Sequence, residues 1–512
     1  MANLFDPKDR HVLPNWRSFG LTVNFGELND LKTEGINQPS HNLSIEDYLS
    51  SWGQNKTIAI AGDLLSAAFV NGFTDNPTVK KAADFILSNS DKSTSMLSNF
   101  ANRIVNPTSI TPEKRFTLIN HENIIKNLSN PIRVIKSRLD KYPLNPILYV
   151  ELSRLYSILG NREKALQNMS IALHLAPENR FILRAASRLY THFDLADYIH
   201  NIIRKSEIVK CDPWITSTEI ALATIMQRSS QFIKKGLQMI NSGKYSPFSL
   251  TELASSIGTL EFLNGNKIKT KKMLQTALKS PNDNSLAQIE WIVNKIHLFD
   301  INPANYKIEN KYEALAFDNY YNNKWDEALK NSIDWFHDLP FSSQPVMFGA
   351  HIAGTILDKR DVAIKLLGAG LVSHPNDTQK INNIAYFLAL DNKLDDAENY
   401  LRKVRNSSET KQTTKICLKA TRGLISFRKG LHDEGRHLYL EAINESRLIR
   451  NSNLAWLATL NYAREEILTK SSDIKSIIEN VKSIPDNTKY PDVNKLKADV
   501  MDLYHKTYVV KN

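Results

Sequence analysis

The chain has 512 residues, which is more than one ordinary globular core accommodates, so several structural units are expected. Its apolar content of 42% and charged content of 23% exclude a disordered chain and are typical of a folded protein. The formal net charge of +11 favours acidic partners, although a general enrichment in Lys, Asn and Ile weakens that inference.

The N-terminus and the cysteines indicate the compartment. The opening MANLFDPKDRHVLPNW has charges where a signal peptide needs an apolar core. The apolar run from Thr57 to Val70 is interrupted by Asp63 and is too short to span a membrane. Cys211 and Cys417 form no CxxC motif, so we interpret them as small core residues in a reducing compartment. A cytoplasmic protein with no membrane partner is expected.

Residues 1–110 are predicted to form an N-terminal arm and a helical cap. Prolines punctuate the first 43 residues, and Trp16, Phe19 and Phe25 predict an arm that packs onto the rest of the molecule. Ser44 is a candidate helix cap, with an acidic residue three positions later.

Two helices are predicted after this arm, at 57–72 and 77–89. The Ser-, Asn- and Pro-rich stretch 90–112 is the best candidate for a domain boundary. The predicted buried faces consist of Ala61, Leu64, Leu65 and Phe69 on the first helix and Val79, Ala82, Ala83 and Ile86 on the second.

The stretch that organises the chain is 146–179, which predicts two short helices joined by a turn. Gly160 favours the left-handed conformation that ends a helix. Pro177 ends the second helix because proline cannot continue the backbone hydrogen-bond ladder. The residues that recur three and four positions apart are Tyr149, Leu152 and Tyr156 on the first helix and Ala165, Met169 and Ala172 on the second.

This pattern resembles the tetratricopeptide repeat, a helix–turn–helix unit of about 34 residues. Counted from Pro146, the residues just named fall on the positions that the repeat reserves for large residues, small residues and proline, and Ser153 occupies another small position. A single match of this kind is moderately specific. Several matches in phase would be strong, so the period must be followed through the chain.

Prolines recur at nearly this spacing. Successive differences are 34, 36, 34, 34, 59 and 35 residues. The step of 59 predicts a shortened unit, because INPANYKIEN (301–310) reads as a loop where a second helix is expected. The prolines are Pro143, Pro177, Pro213, Pro247, Pro281, Pro340 and Pro375.

Eight units follow from this period, after a partial one at 130–143. Small residues at packing positions (Ala328, Ala363 and Ala397) support the later units, and 214–247 is the weakest match. The predicted units are 146–179, 180–213, 214–247, 251–282, 309–340, 344–375, 378–411 and 416–449.

The resemblance implies an all-α, right-handed α-solenoid, which the period makes elongated. First helices would line a concave surface, and second helices would form the outside. The solenoid is predicted over 111–445. Because the spacing lapses after Arg450, residues 446–512 are predicted to form capping helices, with Leu454, Leu457 and Leu460 on one buried face.

No catalytic, cofactor or metal motif emerges. In HDEGRH (432–437) the histidines are five residues apart, whereas HExxH places them four apart on one helix face. Gly368 and Gly370 do not open a helix after a strand, so helix packing is a better interpretation than a phosphate loop. We expect a protein that is not an enzyme and has no cofactor or small-molecule substrate.

Two basic runs are candidate partner-binding faces. The first run is at a repeat turn and the start of a second helix. The second run follows one face of a first helix, so it could lie on the concave surface of the solenoid. Each can be a solvated face, or it can bind an acidic protein segment or nucleic-acid phosphates. The residues are Lys267, Lys269, Lys271 and Lys272 in the first run and Lys411, Lys415, Lys419 and Arg422 in the second.

These features favour a non-enzymatic interaction scaffold or adaptor that holds one or more proteins, for example a catalytic or effector subunit. The alternative is an α-solenoid that binds or senses nucleic acid. A third reading is an uncharacterised activity within residues 1–110, where no site motif is found.

Overall fold

Helices are the only regular secondary structure in the part of the protein that the computed structural model describes, and that part contains no strand. Phe19, Phe25 and Ser44 lie outside it. The described residues are 11–18, 45–70, 76–106, 121–404, 410–488 and 490–509.

Four N-terminal helices pack on one another around a core of their own. Every predicted face residue with a described side chain is fully buried, which confirms both helices of the predicted pair. The side chain of Phe69 is outside the described residues. The helices are α1 (Ile45–Gln54), α2 (Ile58–Val70), α3 (Pro77–Ser88) and α4 (Ser95–Val105).

The predicted boundary at 90–112 is not a plain linker, because α4 lies within it. Thr94 caps this helix by accepting a hydrogen bond of 3.2 Å from the backbone N–H of Leu97. Ala101 and Ile104 then enter the core of the N-terminal helices. Their apolar spacing is hidden among Ser and Asn, which explains why composition alone indicated a boundary.

Residues 121–141 form α5 (His121–Lys141), which includes all but the last two residues of the partial unit predicted at 130–143. The eight predicted units then each form a helix pair. Units 1 to 4 are α6 (Pro146–Ile158) with α7 (Arg162–Leu175), α8 (Arg180–His192) with α9 (Ala196–Lys205), α10 (Pro213–Ile225) with α11 (Ile233–Asn241), and α12 (Pro247–Leu263) with α13 (Lys267–Ala277).

Unit 5 is the shortened one, and its loop is confirmed. Its only α-helix is α14 (Asp283–Ile296), which ends where His297 adopts a left-handed φ of 47°. A single 3-10 turn, Pro303–Asn305, replaces the second helix. Pairing therefore resumes only with unit 6.

Units 6 to 9 return to regular pairs. They are α15 (Tyr312–Tyr321) with α16 (Trp325–Asp338), α17 (Ser343–His351, continued by a π turn at Ile352–Ile356) with α18 (Arg360–Ser373), α19 (Thr378–Leu390) with α20 (Leu394–Arg402), and α21 (Gln412–Arg428) with α22 (His432–Leu448).

The close packing inside a unit follows from its small residues. In unit 1, Ala165 and Ala172 are fully buried, and Ser153 donates a hydrogen bond of 2.8 Å to the carbonyl oxygen of Ala165 across the pair. Leu152 and Tyr156 are also buried, whereas Tyr149 is half-buried and donates to the carbonyl oxygen of Pro143. The predicted register is therefore confirmed. Ala328, Ala363 and Ala397 are equally buried in their units.

The periodic prolines have two structural roles. Pro177, Pro340 and Pro375 lie in turns after a second helix, as predicted. Pro213 and Pro247 instead open the next first helix at its first position, where the missing N–H costs nothing. A proline in either position lies at the boundary between two units, so the spacing of about 34 residues is kept whichever role the proline has.

Pairing continues beyond the point where the sequence spacing lapses. α23 (Ser452–Leu468) and α24 (Ile474–Lys482) form a tenth unit, and α25 (Pro491–Tyr504, continued by a π turn at His505–Val509) packs against α23. Leu454, Leu457 and Leu460 are buried as predicted.

The solenoid closes on itself between units 1 and 7. α18 packs against α5 and α6. At this contact a Cβ atom on Gly160 would lie 2.5 Å from the carbonyl oxygen of Val372. The rings of His192 and His374 have centroids 4.5 Å apart. The expectation of an elongated solenoid, in which units contact only their neighbours, is therefore wrong for this half of the molecule.

One cysteine also differs from its prediction. Cys211 is exposed after a 3-10 turn (Glu207–Lys210), so it is not a core residue, while Cys417 is half-buried. Neither forms a disulfide.

Candidate functional site

The first helices of units 8, 9 and 10 enclose a cavity of about 400 Å³ together with α25. We call it the C-terminal cavity. Its volume is within the range of about 300–1,000 Å³ that ligand sites occupy. The polar lining residues on its first helices are Asn382, Asn383, Tyr386, Thr421, Asn461 and Arg464.

Two neighbouring amides leave polar atoms without partners. Asn382 and Asn383 are 3% and 5% exposed, and a long contact of 3.5 Å joins the Nδ2 of the first to the Oδ1 of the second. The Oδ1 of Asn382 and the Nδ2 of Asn383 have no hydrogen-bond partner among the described residues. A buried polar group left unpaired costs about 1–3 kcal/mol, so this pair favours an occupant with both a donor and an acceptor.

Arg464 provides a charged donor in the same cavity. Its Nε donates to Glu465 over 2.8 Å, while its Nη2 has no partner within the described chain. Burial alone would lower the pKa of Arg464, but Tyr386, Glu465 and Tyr439 hold it above its ordinary value. The guanidinium therefore stays charged and can bind a carboxylate or carbonyl oxygen.

The remaining walls combine apolar and charged residues, the charged ones being Asp358 and Arg360 of unit 7 and Asp492, Asp499, Asp502 and Lys506 of α25 and its π turn. α25 contributes Leu496, Val500 and Leu503 on one side, and α23 contributes Leu454 and Leu457 on the other. This mixture suits an extended segment whose backbone amide pairs with the asparagines while an apolar side chain is buried.

A second site lies inside the ring of units 1 to 7 and is filled by the N-terminal arm. Residues 11–18 have no helical or strand structure there. Trp16 is 2% exposed, which confirms that the arm packs onto the repeats. We call this site the inner groove and define it by Glu151, Asp283, Asn284, Asp338 and Phe341.

The first basic run is exposed on the outer helix α13. All four of its lysines are exposed, and the Nζ of Lys269 is 3.7 Å from the carboxylate of Glu261. It lies apart from both the C-terminal cavity and the inner groove.

The second basic run does not reach the C-terminal cavity. Lys411, Lys415 and Arg422 are exposed, while Lys419 turns to α22 and pairs with Glu441 at 3.0 Å and with Glu445. The cavity is lined from α21 by Ile416, Cys417, Ala420 and Thr421 instead.

The motifs that were interpreted as structural have structural surroundings. His432 is the first residue of α22 and stacks near Phe427 at 6.0 Å, while His437 is exposed. A Cβ on Gly370 would lie 2.7 Å from Val346, so this glycine permits close helix packing, whereas Gly368 faces open space. Within the described ranges no group of three or more potential metal ligands occurs, and no helix could cross a bilayer.

Sequence reasoning missed the residues that line both sites. Asn382, Asn383 and Arg464 interrupt the apolar faces of first helices, and such an interruption is the signal that could have identified them. No comparable signal exists for Arg17, because its partners are more than 260 residues away.

No family model and no curated protein matches the chain. Among solved structures, the crystal structure of yeast Tom70 covers 78% of this chain and 97% of its own, with 14% identity and a TM-score of 0.31. The structure of Naa15/Naa10 bound to HypK-THB covers 91% of this chain and 81% of its own, with 13% identity and a TM-score of 0.25. At these scores neither likeness carries an argument about function.

The class of protein rests on the chain's own geometry. The helix pairs, their buried small residues and their turns define an α-solenoid of divergent tetratricopeptide-like repeats.

Proposed function

We propose that the protein is a non-enzymatic interaction scaffold that holds an extended segment of a partner protein in the C-terminal cavity. The observation that supports it best is the set of three unpaired polar atoms on Asn382, Asn383 and Arg464, three residues that line one cavity on the face formed by first helices. Repeat solenoids commonly use that face for binding.

Recognition would combine three contacts. The two asparagines would pair with one peptide group, Arg464 would bind a carboxylate or carbonyl oxygen, and the leucines of α23 and α25 would bury an apolar side chain. A hydrogen bond to a charged group contributes about 1.5–3 kcal/mol, so Arg464 should dominate the affinity.

A peptide-display selection on the purified protein tests this proposal. Selected peptides should bind with 1:1 stoichiometry, and Arg464→Gln should weaken binding by about 10-fold or more, since each 1.4 kcal/mol is a factor of ten. Asn383→Ala should weaken it as well. The exposed residues Arg447 and Asn444 on α22 provide matched controls, Arg447→Gln and Asn444→Ala. Selected peptides that bind all four variants alike would refute the cavity as the site.

Cys417 offers a direct readout because it lines the cavity and only one other cysteine exists. In a Cys211→Ser background, a bound peptide should slow thiol labelling of Cys417. Unchanged labelling at saturating peptide would place the peptide elsewhere.

The exposed lysines support the alternative of nucleic-acid binding. Binding through phosphates should weaken steeply as salt is raised, and reversal of the charges at Lys411, Lys415 and Arg422 should abolish it. Absence of binding to generic DNA or RNA at low salt would exclude this alternative and favour the protein scaffold.

We propose a cytoplasmic location because both cysteines are free.

A further inference from the structure

The N-terminal arm occupies the inner groove in the manner of a bound peptide. Trp16 packs on Phe341 with ring centroids 5.5 Å apart, and Val12 and Leu13 are buried beside it. The groove also holds the arm's backbone, since Nδ2 of Asn284 donates to the carbonyl oxygen of Leu13 over 2.9 Å. Deeply buried Trp and Arg anchors are typical of binding hot spots.

Arg17 provides the charged anchor. Its Nε and Nη2 bind the two carboxylate oxygens of Asp338 at 2.6 and 2.5 Å, and Nη2 also binds Asp283 at 2.5 Å. Asn15 adds a hydrogen bond of 2.8 Å to Asp283, and Ser18 adds one of 2.8 Å to Glu151. The fork of a guanidinium matches a carboxylate in a way that a lysine cannot.

The groove is made by elements that have their own cores. Asp283 begins α14, Asp338 ends α16 and Glu151 is on α6. Most apolar residues that pack units 1 and 6 belong to the repeats themselves, and Leu13 and Trp16 of the arm add to the cluster of unit 1. Arg154 on α6 lies 3.6 Å from Glu151 and also attracts Asp338, but Arg17 is the cation that contacts both Asp283 and Asp338, which are otherwise two like charges in a partly desolvated groove. The groove therefore selects an occupant that carries a positive charge next to an aromatic ring.

We propose that the inner groove is a recognition site for an extended segment of another protein with an aromatic residue followed by Arg. The arm is its built-in occupant, and a partner with the same chemistry binds by replacing it. This site shares no lining residue with the C-terminal cavity, so it is independent of the function proposed above.

The test converts the arm into an exchangeable ligand. A protease site is placed within residues 19–44 of the full chain, and binding of the labelled peptide HVLPNWRS, residues 11–18, is measured before and after cleavage. In the uncut protein the tethered arm competes at an effective concentration in the millimolar range, so we expect binding at least about 10-fold weaker than in the cut protein.

Matched peptides and variants identify the contacts. Replacement of the peptide arginine by Ala should weaken binding to the cut protein by about 10-fold or more, and replacement by Lys should weaken it less. Asp338→Asn in the protein should act in the same way, while Asp396→Asn at an exposed position of α20 should have no effect. The peptide series remains decisive even where the protein variant is unstable.

Three outcomes would overturn the proposal. The cut protein could keep its helicity and its cleaved arm and never bind the labelled peptide. This result would show that the arm is a permanent structural part of the fold and not an exchangeable ligand. Loss of helicity on cleavage would make the arm part of the core. Dimers formed by uncut copies that exchange arms would show that the occupant is a second copy of this chain.

Discussion

At the residue scale, the small side chains between paired helices decide whether a unit can form. Ala165 is fully buried where α6 meets α7, and the hydrogen bond from Ser153 to its carbonyl oxygen requires close approach of the two backbones. Larger side chains at this seam would force the helices apart, because protein interiors have few voids that can absorb added volume.

We expect Ala165→Leu to reduce the free energy of unfolding by about 1–3 kcal/mol through overpacking. Urea denaturation of the full chain measures the effect. The control is Gln167→Leu, which adds apolar volume at an exposed position of the same helix. Equal midpoints for both variants would contradict the repeat register of unit 1.

Glu290 on α14 predicts a second effect at this scale. Burial, and to a smaller extent the charge of Asp318, raises the pKa of Glu290 from 4.5 to about 8. A hydrogen bond from Asn294 opposes this shift because it stabilises the carboxylate. The folded state therefore binds more protons than the unfolded state between pH 4.5 and about 8. Stability should fall as pH rises through this window.

We expect Glu290→Gln to remove that loss, so its stability relative to wild type should increase from pH 5 to pH 8. Urea midpoints across this range measure the difference. Glu163→Gln, at an exposed position, should not change the slope. A wild-type slope retained in Glu290→Gln would assign the titration to another group.

At the element scale, α25 covers the last apolar face of the solenoid. Val493 and Val500 are 0% and 1% exposed, and Lys495 ties the helix to Asp358 at 3.1 Å. A terminal unit of a solenoid has no following neighbour, so its exposed face must be covered by a capping element. We propose α25 for this role within the predicted C-terminal cap, 446–512.

Removal of residues 490–512 should expose the apolar face of α23 and cause self-association. Light scattering and solubility of the purified protein measure it. Removal of 505–512 alone, which leaves α25 intact, should preserve a monomer of the same size as wild type. A soluble monomer of unchanged helicity after the larger deletion would show that α25 is not a cap.

At the scale of the whole molecule, the contact between units 1 and 7 closes a ring around the inner groove. Two half-buried histidines, His192 at the end of α8 in unit 2 and His374 after α18 in unit 7, lie beside this contact. Burial first, and then Lys380, lowers the pKa of His374 to about 4, while Asp377 opposes the shift. Burial also lowers the pKa of His192, and His374, Arg188 and Lys380 add to that effect.

Both histidines are neutral in the folded ring at neutral pH. Since the unfolded state takes up these protons near pH 6.5, stability should fall as pH decreases from 6.5 towards 4 and should not change above 6.5 on this account. His374→Gln should flatten the decline in urea midpoint between pH 7.5 and 5, whereas His437→Gln, at an exposed position, should not. If the urea midpoint declined identically in wild type, His374→Gln and His437→Gln, His374 would not be the group whose protonation destabilises the fold.

The sequence by itself determined the repeating part of this protein. Spacings of three and four residues, glycine and proline at turns, and small residues such as Ala165 act within one unit, so a local pattern predicts the pair and its register. The loop of unit 5 is predicted for the same reason, because it breaks a period that its neighbours keep.

Only the tertiary structure decided how the units are arranged around a ring, and therefore where the binding sites are. Each unit is rotated slightly relative to the one before it, and these rotations add up to the position of unit 7 relative to unit 1. No single unit specifies the total rotation. Gly160 thus meets Val372, and Arg17 meets Asp283 and Asp338, through contacts that no local spacing encodes. The C-terminal cavity depends on the same geometry, because Asn383 and Arg464 share it only after two further units have stacked.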